Sequence, residues 1–577
     1  MKVYLIKITL IKMGNIIGTI SDSCSERTAN ICFKKTPQDN NDKDDNIVET
    51  LTDNNPTYPE NIIDVKVKTS NLIMKRNQNP WENYKEICDL GSGTFGTVKK
   101  VILNTTRVIR AMKIIPKSNI LEGIDSSTVI SEINILRNLD HPNIMKIFEF
   151  YEDNDNFYII SEYCDQGDLL GKMKKLNYMS EVVVKFLMMQ ILNAVAYLHS
   201  KKVLHGDIKM ENILLYTSSS QARYKKRFTV LTLDTQNGGL SKEINDSFRK
   251  RNFSERTKNY IENITNYEIK LIDFGCSKIF NKKHKHLSGI IGTSIYCSPE
   301  VVDDNYDEKS DEWSCGVLMY LLLSGEPPFQ GETEEEIFAK IKKGKYTMNL
   351  TELKKCSKNC RDLIKKLLAY YPKDRISASD ALKHPFFTES FNPENALTVN
   401  KDLSILNELL NAKQIGKFRE TVLAYLVLNF TDIDEEKKIR EVFRYIDKDL
   451  NNEISWNEFN TALQENGYKL SKDEVDRIFN IIDSDQNGSI EYQEFMRAVC
   501  DKNKLLSDDN LKLAFELFDT HKNGCVTWND INTIVFKGKN MNEELINDYL
   551  SELGITKDQV MDFKVFCELM RSLIPKK

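Results

Sequence analysis

The run His205-Gly206-Asp207-Ile208-Lys209-Met210-Glu211-Asn212 supplies a carboxylate base and, five residues later, an oxygen donor for a metal. Asp273-Phe274-Gly275 supplies a second metal carboxylate, of the hard-oxygen kind that Mg2+ prefers. Upstream, Leu90-Gly91-Ser92-Gly93-Thr94-Phe95-Gly96-Thr97-Val98 is glycine-rich, so backbone N–H groups can approach phosphate oxygens without side-chain clash. Lys113, in the strand-like Ala111-Met112-Lys113, offers the cation that such phosphates need. Glu132, on a helical segment ahead of the His141-Pro142-Asn143 turn, is its expected ion-pair partner. Ser298-Pro299-Glu300 closes the series. Taken singly, each has a bland explanation: glycines mark turns, and Lys113 with Glu132 could be a surface pair. Their order and context together point to phosphoryl transfer from ATP.

With these signatures in this order, over about 300 residues, the chain resembles the eukaryotic protein-kinase family. The resemblance implies that Asp207 orients the substrate hydroxyl and takes its proton, that Lys209 neutralises charge on the group in transfer, and that Asn212 and Asp273 hold two Mg2+ ions. Lys209 and Gly292-Thr293 resemble serine/threonine rather than tyrosine kinases. Ser161 falls at the gatekeeper position before a hinge of Glu162, Tyr163 and Cys164, which implies open space behind the adenine. Asp168 matches a position that attracts a basic substrate residue, although an acid at a helix start is also favourable in its own right. Gly206 departs from the pattern: an arginine usually stands there and reads an activation-loop phosphate. Loop phosphorylation is therefore not expected to be the main on-switch.

A second chemistry sits in the last third of the chain. Asp447, Asp449, Asn451, Glu453 and Glu458 occupy positions 1, 3, 5, 7 and 12 of one acidic loop, and Asp483, Asp485, Asn487, Ser489 and Glu494 those of another. Six to eight hard oxygens with a terminal bidentate Glu make a Ca2+ loop of the EF-hand type. Asn452 replaces the usual glycine at position 6, and Asn tolerates the left-handed conformation that the turn needs. A third loop, with Asp519, Asn523 and Asp530, carries His521 at position 3 and a short acid at position 12, so weak binding or none is expected. A fourth, from Gly554, lacks end ligands and is expected to survive as the partner of the third. The first three loops begin 36 residues apart, the mark of a repeated helix-loop-helix unit.

The elements that must position these groups follow from composition. The chain has 577 residues, 41% hydrophobic and 29% charged, with a net charge of -5, enough for two or three domains. Residues 1–79 are polar after a short apolar start and read as a disordered extension. Met13-Gly14 and Cys24 suit double acylation if translation starts at Met13, though Gly18 stands where the motif wants Ser or Thr. A kinase domain is expected over 80–387, interrupted by a basic, polar insertion at 216–266. A junction at 388–432 carries Ile415, Phe418, Val422 and Leu426 on one helical face. Four EF-hand units then span 437–472, 473–508, 509–544 and 545–577 of a calmodulin-like domain, 433–577. The fold class is thus an α+β bilobal kinase fold followed by an all-α EF-hand domain.

This order resembles the calcium-dependent protein kinases of plants and single-celled parasites. The resemblance implies ATP, Mg2+ and Ca2+ as cofactors and protein substrates as partners. It further implies that the junction helix covers the catalytic cleft at rest until Ca2+ draws it away. The chain is expected to be a cytoplasmic monomer, with peripheral membrane contact if acylated. Scattered cysteines, nearest at Cys356 and Cys360, argue against a disulfide framework or a zinc site. Basic runs without interleaved aromatics give no sign of nucleic-acid binding.

Overall fold

The structure, a computed structural model, describes residues 73, 75–76, 79–93, 96–118, 126–217, 267–280, 287, 289, 291–388, 403–410, 412–413, 415–431, 433–448, 451–536, 543–554, 556 and 559–574. The expectations for Gly14, Cys24, Thr94, Phe95 and Asp449, most of the 1–79 extension and nearly all of the insertion lie outside these residues.

The first lobe is a six-stranded sheet: β1 (Lys75–Arg76), β2 (Tyr84–Gly93), β3 (Gly96–Leu103), β4 (Ile109–Pro116), β5 (Ile147–Glu152) and β6 (Asn156–Ser161). The order is β1-β5-β6-β4-β3-β2, and only the β1–β5 pair is parallel. Side chains alternate across β4. Ile115 faces α1 (Ser126–Arg137) and shares a core with Val129 and Ile133. Met112 faces the other way, into a second core with Tyr84, Val101, Tyr158 and Ile160. Lys113, one residue along, is therefore on the α1 side of the sheet.

The second lobe is built on α2 (Leu169–Leu176), α3 (Glu181–Ser200), α4 (Lys309–Ser324) and α5 (Lys358–Leu367). Ser180 Oγ accepts from Val183 N and starts α3. By length and composition α3 is apolar enough to cross a membrane, yet its apolar residues pack with those of α4 in the kinase core. Two short ladders organise the catalytic groups: β7 (Val203–Leu204) with β10 (Lys278–Ile279), and β8 (Ile213–Thr217) with β9 (Tyr267–Leu271). β8 runs two residues beyond the expected start of the insertion, so Tyr216 and Thr217 belong to the strand and the intervening chain departs from the far end of a closed hairpin.

The C-terminal part is helical: α6 (Leu403–Leu410), α7 (Lys417–Phe430), α8 (Ile433–Ile446), α9 (Trp456–Glu465), α10 (Lys472–Ile482), α11 (Tyr492–Val499), α12 (Asp508–Phe518), α13 (Trp528–Phe536), α14 (Glu543–Leu553) and α15 (Phe563–Arg571). Loops one and two are joined by β11 (Glu453–Ser455) and β12 (Ser489–Glu491), with Ile454 opposite Ile490. Loops three and four are joined by β13 (Cys525–Val526) and β14 (Met561–Asp562). The fourth loop is indeed the structural partner of the third.

The junction helix α7 departs from the one-faced pattern. Phe418, Val422, Tyr425 and Leu426 enter the core of the second EF-hand pair, while Leu423 and Val427 enter that of the first. A helix held between two lobes needs apolar residues all round, not a single stripe. Its end meets the kinase: Arg110 donates to the Asn429 carbonyl at 2.5 Å, and Phe430 and Leu513 pack on the Met112 side of the sheet. The junction thus lies on the sheet face opposite Lys113 and Glu132.

Candidate active site and calcium loops

Lys113 Nζ lies 3.2 Å from Glu132 Oε1. Burial alone would lower the Lys113 ammonium, but Glu132 and Asp273 override it and hold it above the ordinary lysine value. The α1 helix carries Glu132 to β4 because Val129, Ile133 and Ile115 share one core.

The β8–β9 hairpin places the two candidate metal donors side by side. Asn212 immediately precedes β8, Asp273 follows β9 by two residues, and Ile272 N donates to the Asn212 carbonyl at 2.9 Å. Asn212 Nδ2 donates to the Asp207 carbonyl at 2.9 Å and to Asp207 Oδ2 at 3.0 Å, which leaves its Oδ1 to a cation. Asp273 adopts φ 65, an uncommon backbone region for a non-glycine residue and of the kind held at functional sites. Phe274 is buried against the His205 ring, 4.9 Å between centroids.

Asp207 is tightly positioned. Lys209 Nζ lies 2.7 Å from its Oδ2, and Thr293 N and Oγ1 donate to its Oδ1 at 3.0 and 3.1 Å. Lys209 Nζ also donates to Thr293 Oγ1 at 2.9 Å. Burial opposes the Lys209 charge, but Asp207 holds its ammonium above the usual lysine range. An ammonium, a carboxylate and a hydroxyl therefore converge at Asp207.

Gly206 is more than a missing arginine. Its φ is 81, and a Cβ there would meet Ile291 Cδ1 at 2.7 Å and the Cys276 carbonyl oxygen at 2.9 Å. Gly292, at φ 82, is equally tight: a Cβ would sit 2.6 Å from the Gly206 carbonyl. The catalytic loop and the activation segment touch backbone to backbone, and no arginine fits at 206 in this conformation.

Three further residues hold this geometry without having been singled out in the sequence. Asp311, fully buried on α4, accepts from His205 N at 2.9 Å and Gly206 N at 3.0 Å, fixing the catalytic loop by its backbone. His199 Nε2 lies 3.0 Å from Asp311 Oδ2, and its Nδ1 lies 3.2 Å from Glu312 Oε1. Arg375 makes a buried two-pronged pair with Glu300, at 2.5 and 3.1 Å. Only a buried carboxylate in a helix signals the first in sequence, and nothing in the spacing ties His199 or Arg375 to a partner about 75 to 113 residues distant.

At the hinge, Ser161 is the last residue of β6 and half-buried. The Glu162 carboxylate accepts from Lys146 N at 2.7 Å and pairs with Lys270 Nζ at 2.8 Å, and its own N donates to the Lys146 carbonyl at 3.1 Å, so this residue ties the hinge to the segment before β5. Burial pushes the Cys164 thiol up, and it stays protonated. Leu90, Gly91, Ser92, Thr97 and Val98 lie on β2 and β3, joined near Gly93 and Gly96. Asp168 caps α2, its Oδ1 accepting from Gly171 N at 2.6 Å, which accounts for that acid structurally.

In calcium loop two, Asp483, Asp485 and Glu494 each offer an oxygen within 4.8 Å of the others, a span that suits Ca2+. Burial, only partly offset by Arg497, lifts the Glu494 carboxyl to about 7. Asn487 and Ser489 are joined by hydrogen bonds along the same loop. In loop one, Asp447 accepts from Asn451 N and Asn452 N, Glu453 N donates to Asn451 Oδ1, and Asn452 adopts φ 64, the left-handed turn expected of it. Glu458 also closes a capping box with Ser455 at the start of α9, so the ligand at position 12 begins the exiting helix as well.

Loop three keeps the turn but not the ligands. Asp519 accepts from Asn523 N and Gly524 N, whereas buried Asp530 is taken up by Thr520, Thr527 and His521, the last at 2.8 Å. His521 fills the place of an oxygen ligand with a nitrogen bonded to the terminal acid. These residues fit Ca2+ poorly, those of loops one and two well.

The first EF-hand pair is docked on the kinase. Arg440 on α8 pairs with Glu268 and donates to Tyr216 Oη at 2.6 Å. Burial alone would raise the Glu436 carboxyl, but Arg440, Lys146 and Lys270 hold it down at about 2. Arg444 donates to Asn143 Oδ1 and Gln493 to Asp140 Oδ1, each at 3.0 Å, and Lys201 Nζ lies 3.2 Å from Glu491 and 3.6 Å from Glu453. The turn at 140–143, which follows the helix carrying Glu132, is thus held from both calcium units.

A protein kinase domain family model matches residues 84–387, and an EF-hand domain pair model matches residues 436–500. Calcium-dependent protein kinase 4 of Plasmodium berghei (strain Anka) is 34% identical over 403 residues, covering 69% of this chain and 66% of that protein. Calcium-dependent protein kinase 4 of Plasmodium falciparum (isolate 3D7) is 33% identical over 423 residues, covering 73% and 69%. Calcium-dependent protein kinase 3 of Plasmodium berghei (strain Anka) is 32% identical over 381 residues, covering 66% and 60%. The chain thus spans roughly two thirds of the length of these relatives.

Proposed function

The chain belongs to the calcium-dependent protein kinase family, and on that premise we propose that it phosphorylates Ser or Thr of protein substrates when Ca2+ fills its first two EF-hand loops. The observation that carries this reading is the shared grip on the 140–143 turn by residues of both loops' units, Arg444 and Gln493. It links the calcium loops to the helix that brings Glu132 to Lys113.

ATP with Mg2+ supplies the phosphoryl group and the charge that organises it. The chain's own residues do the rest. Lys113, steadied by Glu132, binds phosphate oxygens. Asn212 and Asp273 hold the cations. Asp207 orients the substrate hydroxyl and receives its proton, while Lys209 and the Thr293 hydroxyl keep that carboxylate in place. In this proposal the arrangement seen here, with α7 held between the EF-hand pairs, is the released form. At rest α7 leaves that groove for the cleft.

Purified protein assayed on a basic Ser/Thr peptide across a Ca2+ titration tests the reading. Activation by Ca2+ without added calmodulin is expected, with loss of about 10²–10⁴-fold in kcat for Asp207→Asn. Activity independent of Ca2+ in wild type would refute it. For location we propose the cytosol with reversible membrane contact through Gly14 and Cys24. Intact mass of native material showing neither acyl chain would remove the membrane part.

A further inference from the structure

Away from the catalytic and calcium sites, the fold assembles a group whose composition suits a softer metal. Glu181 is the first residue of α3, and Cys356 and Cys360 flank Ser357, the cap of α5. Spacing alone argues against a site at these two cysteines, since no paired-cysteine or histidine motif accompanies them. Folding supplies a third ligand, since Glu181 arrives from 176 positions before Ser357. A carboxylate oxygen of Glu181 and the two Sγ atoms all lie within 4.8 Å of one another. A cation bound at about 2.3 Å to thiolates and about 2.1 Å to a carboxylate spans a triangle of that size. Ser357 already orients the carboxylate: its N donates to Oε2 at 2.8 Å and its Oγ to Oε1 at 2.5 Å. Metal-binding carboxylates are held by such outer partners. Cys360 is buried while Cys356 and Glu181 are half-buried, which leaves a path of entry from their side.

We propose that Glu181, Cys356 and Cys360 bind a thiophilic divalent cation of the Zn2+ class, with water as fourth ligand. Calcium loops one and two offer only oxygens, whereas this cluster offers two thiols, so hard and soft cations sort between the two regions by ligand type. Both cysteines are thiols here, and binding replaces their protons with the cation. The bound cation ties the first turn of α3 to the first turn of α5, adding to the hydrogen bonds that Ser357 makes to Glu181.

Co2+ is the probe that separates this site from the EF-hands. In the reduced full-length protein with Ca2+ in excess, one Co2+ per chain is expected to give a near-ultraviolet thiolate-to-metal charge-transfer band, which the oxygen-only loops one and two cannot give and which should persist in Cys525→Ser of loop three. Zn2+ should bleach it. Cys356→Ser and Cys360→Ser should each abolish the band, and Glu181→Gln should weaken Co2+ binding at least about tenfold. Absence of the band in wild type, or its survival in Cys356→Ser, overturns the proposal. Should Cys360→Ser not fold, the half-buried Cys356→Ser and the near-isosteric Glu181→Gln carry the test by themselves.

Discussion

At the scale of single residues, the catalytic chemistry rests on charges held in place by neighbours that spacing does not reveal. Lys113, Glu132, Asp207, Asn212 and Asp273 were legible because phosphoryl transfer demands those residue types in that order. Asp311 and His199 were not, because their role is to hold backbone and each other across more than a hundred positions. His199 gives a measurable signature. Burial alone would depress its imidazole, but Glu312 and Asp311 lift it to about 10. A folded-state value above the unfolded value of about 6.5 means its contribution is complete below pH 6.5 and lost as pH rises toward 10. Denaturant unfolding of wild type and His199→Gln should therefore show a stability difference that shrinks across that interval. A difference that stays flat with pH rules out the charged imidazole. Ser161 makes a second prediction at this scale: inhibitors carrying a bulky group behind the adenine should lose at least about tenfold in potency in Ser161→Met, since overpacking a filled pocket costs about 1–3 kcal/mol. Equal inhibition of the two proteins would reject it.

At the scale of elements, the sequence showed the helices, the loops and the pairing of loops three and four, but not what the junction helix and the first EF-hand pair pack against. The apolar stripe of the junction was visible, yet α7 buries residues on every side because two EF-hand lobes enclose it. The clamp of Arg440 on Glu268 and Tyr216 joins groups 172 and 224 positions apart, and a polar residue in an amphipathic helix carries no sign of such a contact. Removing one partner of a buried ion pair leaves a charge without compensation, which typically costs about 3–5 kcal/mol. Arg440→Leu should weaken docking of the first EF-hand pair and raise the Ca2+ needed for half-activation by about 5–150-fold, the span of ordinary allosteric coupling. Arg440→Leu combined with Glu268→Leu should recover much of it, because no buried charge is then left alone. A single variant with an unchanged Ca2+ midpoint would show that the clamp is not part of the switch.

At the scale of the whole molecule, the two EF-hand pairs are unequal. Loop two gathers Asp483, Asp485 and Glu494 within 4.8 Å of one another, whereas loop three sets a histidine against its terminal acid Asp530. That inequality was legible, because a histidine at position 3 and a short acid at position 12 are chemical facts of the sequence. A switch thrown from mostly off to mostly on needs about 5.5 kcal/mol of differential binding, which two sites can supply at about 100-fold each. Glu458→Gln with Glu494→Gln should abolish activation by Ca2+, while Asp530→Asn should leave the Ca2+ midpoint within about twofold of wild type. A peptide-kinase assay over a Ca2+ series reads both, and substantial activation of the double variant would move the switch elsewhere.

The β8–β9 hairpin has a consequence for how much chain this enzyme can carry. The ends of the intervening segment leave from Thr217 and Tyr267, paired residues at the rim of a ladder whose opposite rim holds Asn212 and Asp273. The ladder insulates one rim from the other. Closing a loop grows dearer only with the logarithm of its length, about 0.6 kcal/mol for each doubling. Residues can therefore be added or removed there at small thermodynamic expense and without moving Asn212 or Asp273. Replacing 218–266 by a short glycine-serine link should preserve peptide phosphorylation at saturating Ca2+ and slightly raise the melting temperature. The hairpin is in this sense a port, a place where the chain can acquire new sequence beside the Arg440 contact while the chemistry at its other end stays unchanged.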